Sequence, residues 1–149
     1  MDYNRLSLTE FQEYFSTLAI PDLATLPGKY RAAFVGPGWL RASAGPALAL
    51  SGLGGWWGKE IYPDETAINI VLRAGTFSKC FKMKFIQEKS FIDSRSSITL
   101  HYQPGNPFPW MYIVDEIRQV DGQTLLGMTL ANLRGLRGLA FPFILEKAG

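Results

Sequence analysis

Short segments in which apolar and polar residues alternate recur along most of the chain, and turn-forming residues separate them. The most regular is FSKCFKMKFIQ at 77–87, where serine and lysine stand between the apolar residues Phe77, Phe81, Met83 and Phe85. Successive side chains of a β-strand point to opposite faces, so this alternation predicts a strand with one buried face. No helical pattern intervenes between these segments, which favours antiparallel hairpins over a parallel sheet.

We predict a mainly β fold in which roughly eight antiparallel strands, within 28–147, close into an up-and-down barrel. An N-terminal α-helix at 7–19 precedes the barrel. Its start is indicated by Ser7 and Glu10, which form a capping-box pattern ahead of apolar residues at helical spacing. The alternative is an α+β fold in which an open sheet wraps on this helix.

The length of 149 residues predicts a single domain, 1–149. Within it, the Gly/Ala/Pro-rich segment 36–55 is predicted to be either a loop that packs on the barrel or a lid over one of its ends. The uncharged stretch 42–58 is only mildly apolar and is interrupted by glycines and by Pro46. We therefore predict no transmembrane segment.

The charge and the cysteine content narrow the plausible partners and compartments. The formal net charge of +2 comes from 15 basic and 13 acidic residues spread along the chain, which argues against a nucleic-acid partner. With Cys80 as its one cysteine and no secretory signal, the sequence indicates a cytoplasmic protein. Arg134 and Arg137, in LRGLRGLAF, indicate either contact with an acidic membrane surface or binding of a ligand carboxylate or phosphate, as alternatives to a solvated loop. The sequence predicts no particular oligomeric state.

Strand parity and aromatic density predict an apolar cavity inside the barrel that binds a small hydrophobic molecule. Trp56 and Trp57 are adjacent in one strand, so one indole faces the interior and the other faces outward, and parity alone leaves open which. The predicted ligand-binding residues are the two tryptophans and the residues on the apolar faces of the predicted strands: Trp56, Trp57, Phe77, Phe81, Met83, Phe85, Ile98, Leu100, Met111 and Ile113.

Candidate catalytic residues are few and isolated. Parity places Asp115 on the apolar face of its strand, where a carboxylate needs a partner, for which Arg73 and His101 are candidates. Tyr112 is a further acid or hydrogen-bond donor. His101 is the one histidine, and no paired ligand spacing or nucleophile motif accompanies it. We predict no metal site and no cofactor.

Two short motifs carry a resemblance to known families. The segment LATLPGKYRAAFV has a short helical turn followed by Gly28 and Tyr30 at the first strand, which resembles the start of lipocalin-type (calycin) barrels, with tyrosine in place of their tryptophan. The chain is also similar to uncharacterised bacterial Gly-x-Trp domains, through GWWGK at 55–59 and DEIR at 115–118. The resemblance implies an eight-stranded barrel that binds a hydrophobic molecule.

Three functions follow as hypotheses. The first is binding of a lipid, isoprenoid or polyketide-like molecule, which the absence of a complete catalytic set favours over catalysis. The second is an enzyme that cyclises or isomerises an apolar substrate in the same cavity, with Asp115, Tyr112, Arg73 or His101 as isolated acids or donors. The third is an assembly partner that binds another protein through exposed loops.

Overall fold

The structure, a computed structural model, describes residues 1–133, 135–136 and 138–148. Eight antiparallel strands form a closed barrel in which each strand pairs with the next and the last pairs with the first. The eight-stranded barrel is thus confirmed, and the open-sheet alternative is wrong. The strands are β1 (Gly28–Phe34), β2 (Trp56–Ile61), β3 (Thr66–Arg73), β4 (Thr76–Lys89), β5 (Ser96–Tyr102), β6 (Ile113–Gln119), β7 (Thr124–Ala131) and β8 (Ala140–Lys147).

The N-terminal helix α1 (Leu8–Thr17) lies on the outside of the barrel. The predicted capping box is confirmed: Glu10 N–H donates to Ser7 Oγ, and Ser7 N–H donates to the Glu10 carboxylate, both at 3.1 Å. Phe11 and Phe15 are fully buried in a cluster with apolar residues from the outer faces of β6, β7 and β8. This packing gives the barrel a second apolar core outside its wall.

Segment 36–55, predicted as a loop, contains a second helix, α2 (Gly38–Leu50). Pro46 removes one helical hydrogen bond, but alanine and leucine dominate the segment and are strong helix formers. Leu40, Ala44 and Leu48 recur every fourth residue and are partly buried, so the helix gains packing on the barrel that a loop would lack. No helix among the described residues is long and apolar enough to cross a membrane.

Strand β4 departs from the predicted alternation because it contains a β-bulge. Phe81 has a φ of 60°, and the pairing with β3 shifts register between Ile68 and Asn69 at this point. A bulge adds one residue to the strand. The side chains before it therefore point to the opposite face from the one that strict alternation predicts. Phe77 therefore lies on the outer surface, 57% exposed, while Met83 after the bulge is fully buried inside. The prediction that both share one face is wrong.

A polar cluster on the outer wall ties a turn and α1 to β6. Arg118 is fully buried, and its guanidinium donates two hydrogen bonds to Asp93, at 2.5 and 2.8 Å, and one to the Phe15 carbonyl at 2.9 Å. Glu116, also fully buried, accepts the Phe91 N–H at 2.8 Å. We name Asp93, Glu116 and Arg118 the outer polar cluster.

Replacing Glu116 by glutamine should stabilise the protein more at neutral than at acidic pH. Burial raises the pKa of Glu116 above its ordinary value of 4.5. Above that value the unfolded chain releases the proton that the folded chain retains, so stability falls as pH rises. Glutamine keeps an acceptor for the Phe91 N–H but carries no titrating group. Urea unfolding at pH 4 and pH 7 measures this, and an equal effect at both values would contradict the assignment.

Candidate functional site

A cavity of about 300 Å³ lies at the end of the barrel where the odd-numbered strands end and α2 connects β1 to β2. Apolar side chains supply most of its wall. The barrel and the connections at this end contribute Phe34, Leu53, Trp56, Trp110, Pro142 and Phe143, and α2 contributes Trp39, Leu40, Ala44, Ala47 and Leu48. The cavity thus lies between the barrel wall and one face of α2.

Both ends of α2 are fixed by hydrogen bonds to the surrounding chain. At its C-terminal end, the Trp110 indole N–H donates to the Ser51 carbonyl at 2.7 Å. Arg73 donates to the carbonyls of Gly54 and Gly52, at 2.7 and 3.1 Å. At the N-terminal end, Arg41 donates to the Gly36 carbonyl at 3.0 Å. Arg73 therefore fixes the connection between α2 and β2 and is not the partner of Asp115.

Polar groups meet at the inner end of the cavity, where an ion pair crosses the barrel interior. Lys59 of β2 and Asp115 of β6 are 1% and 2% exposed, and Lys59 Nζ lies 2.8 Å from Asp115 Oδ2. Thr129, opposite Asp115 on β7, donates its hydroxyl to Asp115 Oδ1 at 2.7 Å. Asp115 is an interior carboxylate as predicted, but its partner is Lys59.

Asn69 and Tyr102 also contact Lys59. The ammonium donates to Asn69 Oδ1 at 2.8 Å and to the Tyr102 hydroxyl at 3.3 Å, and it lies 5.5 Å from the centroid of the Trp56 ring. Asn69 Nδ2 donates to the Tyr102 hydroxyl at 2.9 Å, and Trp56 Nε1 donates to Asn69 Oδ1 at 3.1 Å. We name Lys59, Asn69, Tyr102, Asp115 and Thr129 the inner polar cluster.

Lys59 and Tyr102 keep fixed protonation states near neutral pH. Burial lowers the pKa of Lys59, but the charges and hydrogen bonds of Asp115 and Tyr102 together outweigh burial, and the pKa is raised. Lys59 is therefore an ammonium and not a free-amine nucleophile. Burial raises the pKa of Tyr102 to about 12, so its hydroxyl remains protonated.

The structure shows which indole of the tryptophan pair faces the barrel interior. A bulge between Trp56 and Gly58 shifts the pairing with β3. Trp56 faces inward and its ring centroid lies 5.6 Å from that of Phe143, whereas Trp57 lies outside against Phe77, with their ring centroids 5.4 Å apart.

Gly58 allows β1 and β2 to approach each other closely. A Cβ atom at this position would lie 1.9 Å from the Tyr30 carbonyl oxygen, so only glycine permits this approach.

The predicted ligand-binding residues divide into three groups. Trp56 lines the cavity. Six others belong to the packed interior cluster without lining the cavity: Phe81, Met83, Phe85, Ile98, Leu100 and Ile113. Three lie outside it: Trp57 and Phe77 on the outer wall, and Met111, which is 47% exposed in a short 3-10 helix before β6.

Of the catalytic candidates, only Asp115 lines the cavity. Tyr112 is 40% exposed in the same 3-10 helix as Met111. His101 faces outward from β5 and contacts Glu88, with Nε2 2.5 Å from Oε1, so it is not the partner of Asp115 for which it was one of two candidates. No group of three or more potential metal ligands comes together among the described residues. Arg134 and Arg137 lie outside the described residues.

Comparisons with known proteins bear on the fold alone. A crystal structure of a protein from Thermomonospora curvata is similar, with a TM-score of 0.71, over 97% of this chain and 89% of that chain. The two sequences are 13% identical. No family model and no curated protein sequence matches the chain significantly. The likeness therefore supports the barrel architecture and carries no statement about a ligand.

Proposed function

We propose that this protein binds a small hydrophobic molecule in the cavity between α2 and the inner polar cluster. The observation that carries the proposal is a cavity of about 300 Å³ with apolar walls and a few convergent polar groups at its inner end. Ligand sites in proteins commonly combine these two features at such volumes. Ligand binding inside a barrel is also what the resemblance to lipocalins and Gly-x-Trp domains implies.

Binding is favoured over catalysis by the state of the polar groups in the cavity. The Asp115 carboxylate is engaged on both oxygens, by Lys59 and by Thr129. A general base must be within reach of the proton that it abstracts, and a paired carboxylate is a weak base. The other candidate acids, Arg73, His101 and Tyr112, do not line the cavity.

A phenyl group introduced into the cavity should weaken ligand binding. The neutral probe N-phenyl-1-naphthylamine, whose fluorescence rises in apolar surroundings, is expected to bind the unaltered protein in the micromolar range. Ala44 faces the cavity from α2, so Ala44→Phe should weaken binding by about tenfold or more, which is ~1.4 kcal/mol or more. The measurement is a fluorescence titration.

Ala42→Phe is the matched control, because Ala42 is exposed on the same helix and does not line the cavity. It should leave the dissociation constant unchanged within about twofold, since it adds the same group outside the site. The proposal fails if the unaltered protein gives no fluorescence increase, or if both variants bind the probe as it does.

A further inference from the structure

We propose that the ligand is an uncharged molecule with a carbonyl or hydroxyl oxygen at its inner end, bound by the hydroxyl proton of Tyr102, and that the site discriminates against carboxylates. This inference rests on the proposed function and deepens it. Two observations support it. The charges at the inner end of the cavity cancel, and the inner polar cluster has a hydrogen-bond donor without an acceptor among the described residues.

The wall of the cavity has two charged side chains of opposite sign. Among the described residues that line it, Lys59 and Asp115 alone carry charge, and they lie 2.8 Å apart. Their charges cancel, so the inner end of the cavity is neutral. A carboxylate or ammonium placed there would lose its hydration without a counter-charge, which costs far more than burying a neutral polar group.

The orientation of Asn69 fixes the direction of the surrounding hydrogen bonds. Lys59 and the Trp56 indole have protons to donate and no lone pair to accept. Both lie against the same atom of Asn69, which must therefore be the carbonyl oxygen Oδ1. The amide nitrogen Nδ2 consequently faces Tyr102 and donates to its hydroxyl at 2.9 Å.

The Tyr102 hydroxyl accepts from Asn69 and from Lys59, so both of these contacts use its lone pairs. Its proton has no acceptor in the part of the chain that the structure describes, and Tyr102 lines the cavity. Lys59, by contrast, has four acceptors around its three protons: the oxygens of Asp115, Asn69 and Tyr102, and the weaker acceptor Met83 Sδ at 3.6 Å. Tyr102 thus offers a hydrogen bond to a ligand oxygen, and Lys59 has none left for a carboxylate.

Thr129 and Asp115 supply acceptors on the other side of the cluster. Thr129 donates its proton to Asp115, which leaves lone pairs on the hydroxyl of Thr129 and on the carboxylate of Asp115. Both residues line the cavity. A ligand hydroxyl can therefore accept from Tyr102 and donate to Thr129 or Asp115, whereas a ketone uses the first contact only.

Displacement of N-phenyl-1-naphthylamine by ten-carbon competitors tests the inference. At pH 8, 1-decanol and 2-decanone should compete, and decanoate should bind at least about tenfold more weakly than 1-decanol. As the pH rises from 5 to 8, the affinity of decanoic acid should fall by about tenfold per unit above its pKa of roughly 4–5, while that of 1-decanol stays constant. This arm uses the unaltered protein.

The variant Asp115→Asn tests the cause of the discrimination. Asparagine keeps the shape and an acceptor for Thr129, but it leaves the Lys59 charge without its counter-charge. Decanoate should then gain at least about tenfold in affinity relative to 1-decanol, and it should raise the melting temperature of this variant more than that of the unaltered protein.

The outcomes separate the two proposals. If the probe and all competitors fail to bind, the proposed function is wrong. If 1-decanol binds but decanoate binds equally well at pH 8, the inference alone is overturned. If Asp115→Asn leaves the ratio of decanoate to 1-decanol affinity unchanged, the neutral ion pair does not set the preference. Should that variant fail to fold, the pH series on the unaltered protein still decides.

Discussion

Replacing Lys59 by methionine is expected to lower the free energy of unfolding by about 3–5 kcal/mol. Methionine has a similar shape and fits an apolar interior, so the loss comes from Asp115, whose carboxyl group is 2% exposed and is left without its counter-charge. Asn69 and Tyr102 lose the same donor. Urea unfolding at pH 7 with linear extrapolation measures the change.

A second substitution identifies the cause. In Lys59→Met combined with Asp115→Asn, no charge remains inside the barrel, so we expect most of the lost stability to return. Lys84→Met is the matched control, because Lys84 is exposed on β4, and it should change the stability by less than about 0.5 kcal/mol. A double variant that is no more stable than Lys59→Met would show that the ion pair is not the source of the effect.

The barrel could be predicted from the sequence because its strands alternate regularly and follow one another in hairpin order. On β5, which has no bulge, Ile98, Leu100 and Tyr102 share the interior face as their spacing predicts. Parity also placed Asp115 inside. These are local consequences of strand geometry, and they require no knowledge of what lies across the barrel.

The site could be predicted only in part, because two bulges and one helix determine it. The bulge at Phe81 carries no glycine, so nothing in FSKCFKMKFIQ signals that Phe77 faces outward. The bulge at Trp56 changes the parity of β2 and turns Lys59 inward. A search for the partner of Asp115 that included lysines within strands would have considered Lys59, although 56 positions in the sequence separate the two residues.

Helix α2 was missed for a different reason. Gly45 and Pro46 are strong local signals for a loop. The stability of a helix in a folded protein, however, comes largely from the packing of one of its faces. The face formed by Leu40, Ala44 and Leu48 is partly buried only because the barrel end lies opposite it. The sequence predicts a loop or a lid here, whereas the structure has a helix.

Replacing Arg118 by methionine should destabilise the protein about as much as the loss of Lys59, by about 3–5 kcal/mol at pH 7. Arg118 joins β6 to Asp93, which is mostly buried, and to α1 through the Phe15 carbonyl, and its guanidinium lies 4.2 Å from the centroid of the Phe15 ring. Methionine leaves the Asp93 carboxylate without its two strongest donors. Arg31→Met, on the exposed face of β1, is the control and should have little effect.

The pH dependence of this loss distinguishes the ion pair from simple packing. The hydrogen bonds from Arg118 hold the pKa of Asp93 well below its ordinary value of 3.8. A lowered pKa in the folded state contributes stability above pH 3.8 that is lost as the pH falls below it, because the folded protein must then take up a proton. In Arg118→Met this contribution is absent, so the difference in stability between the two proteins should be smaller at pH 3 than at pH 7. A difference that does not change with pH would assign the effect of Arg118 to its packing on Phe15 instead of its pairing with Asp93.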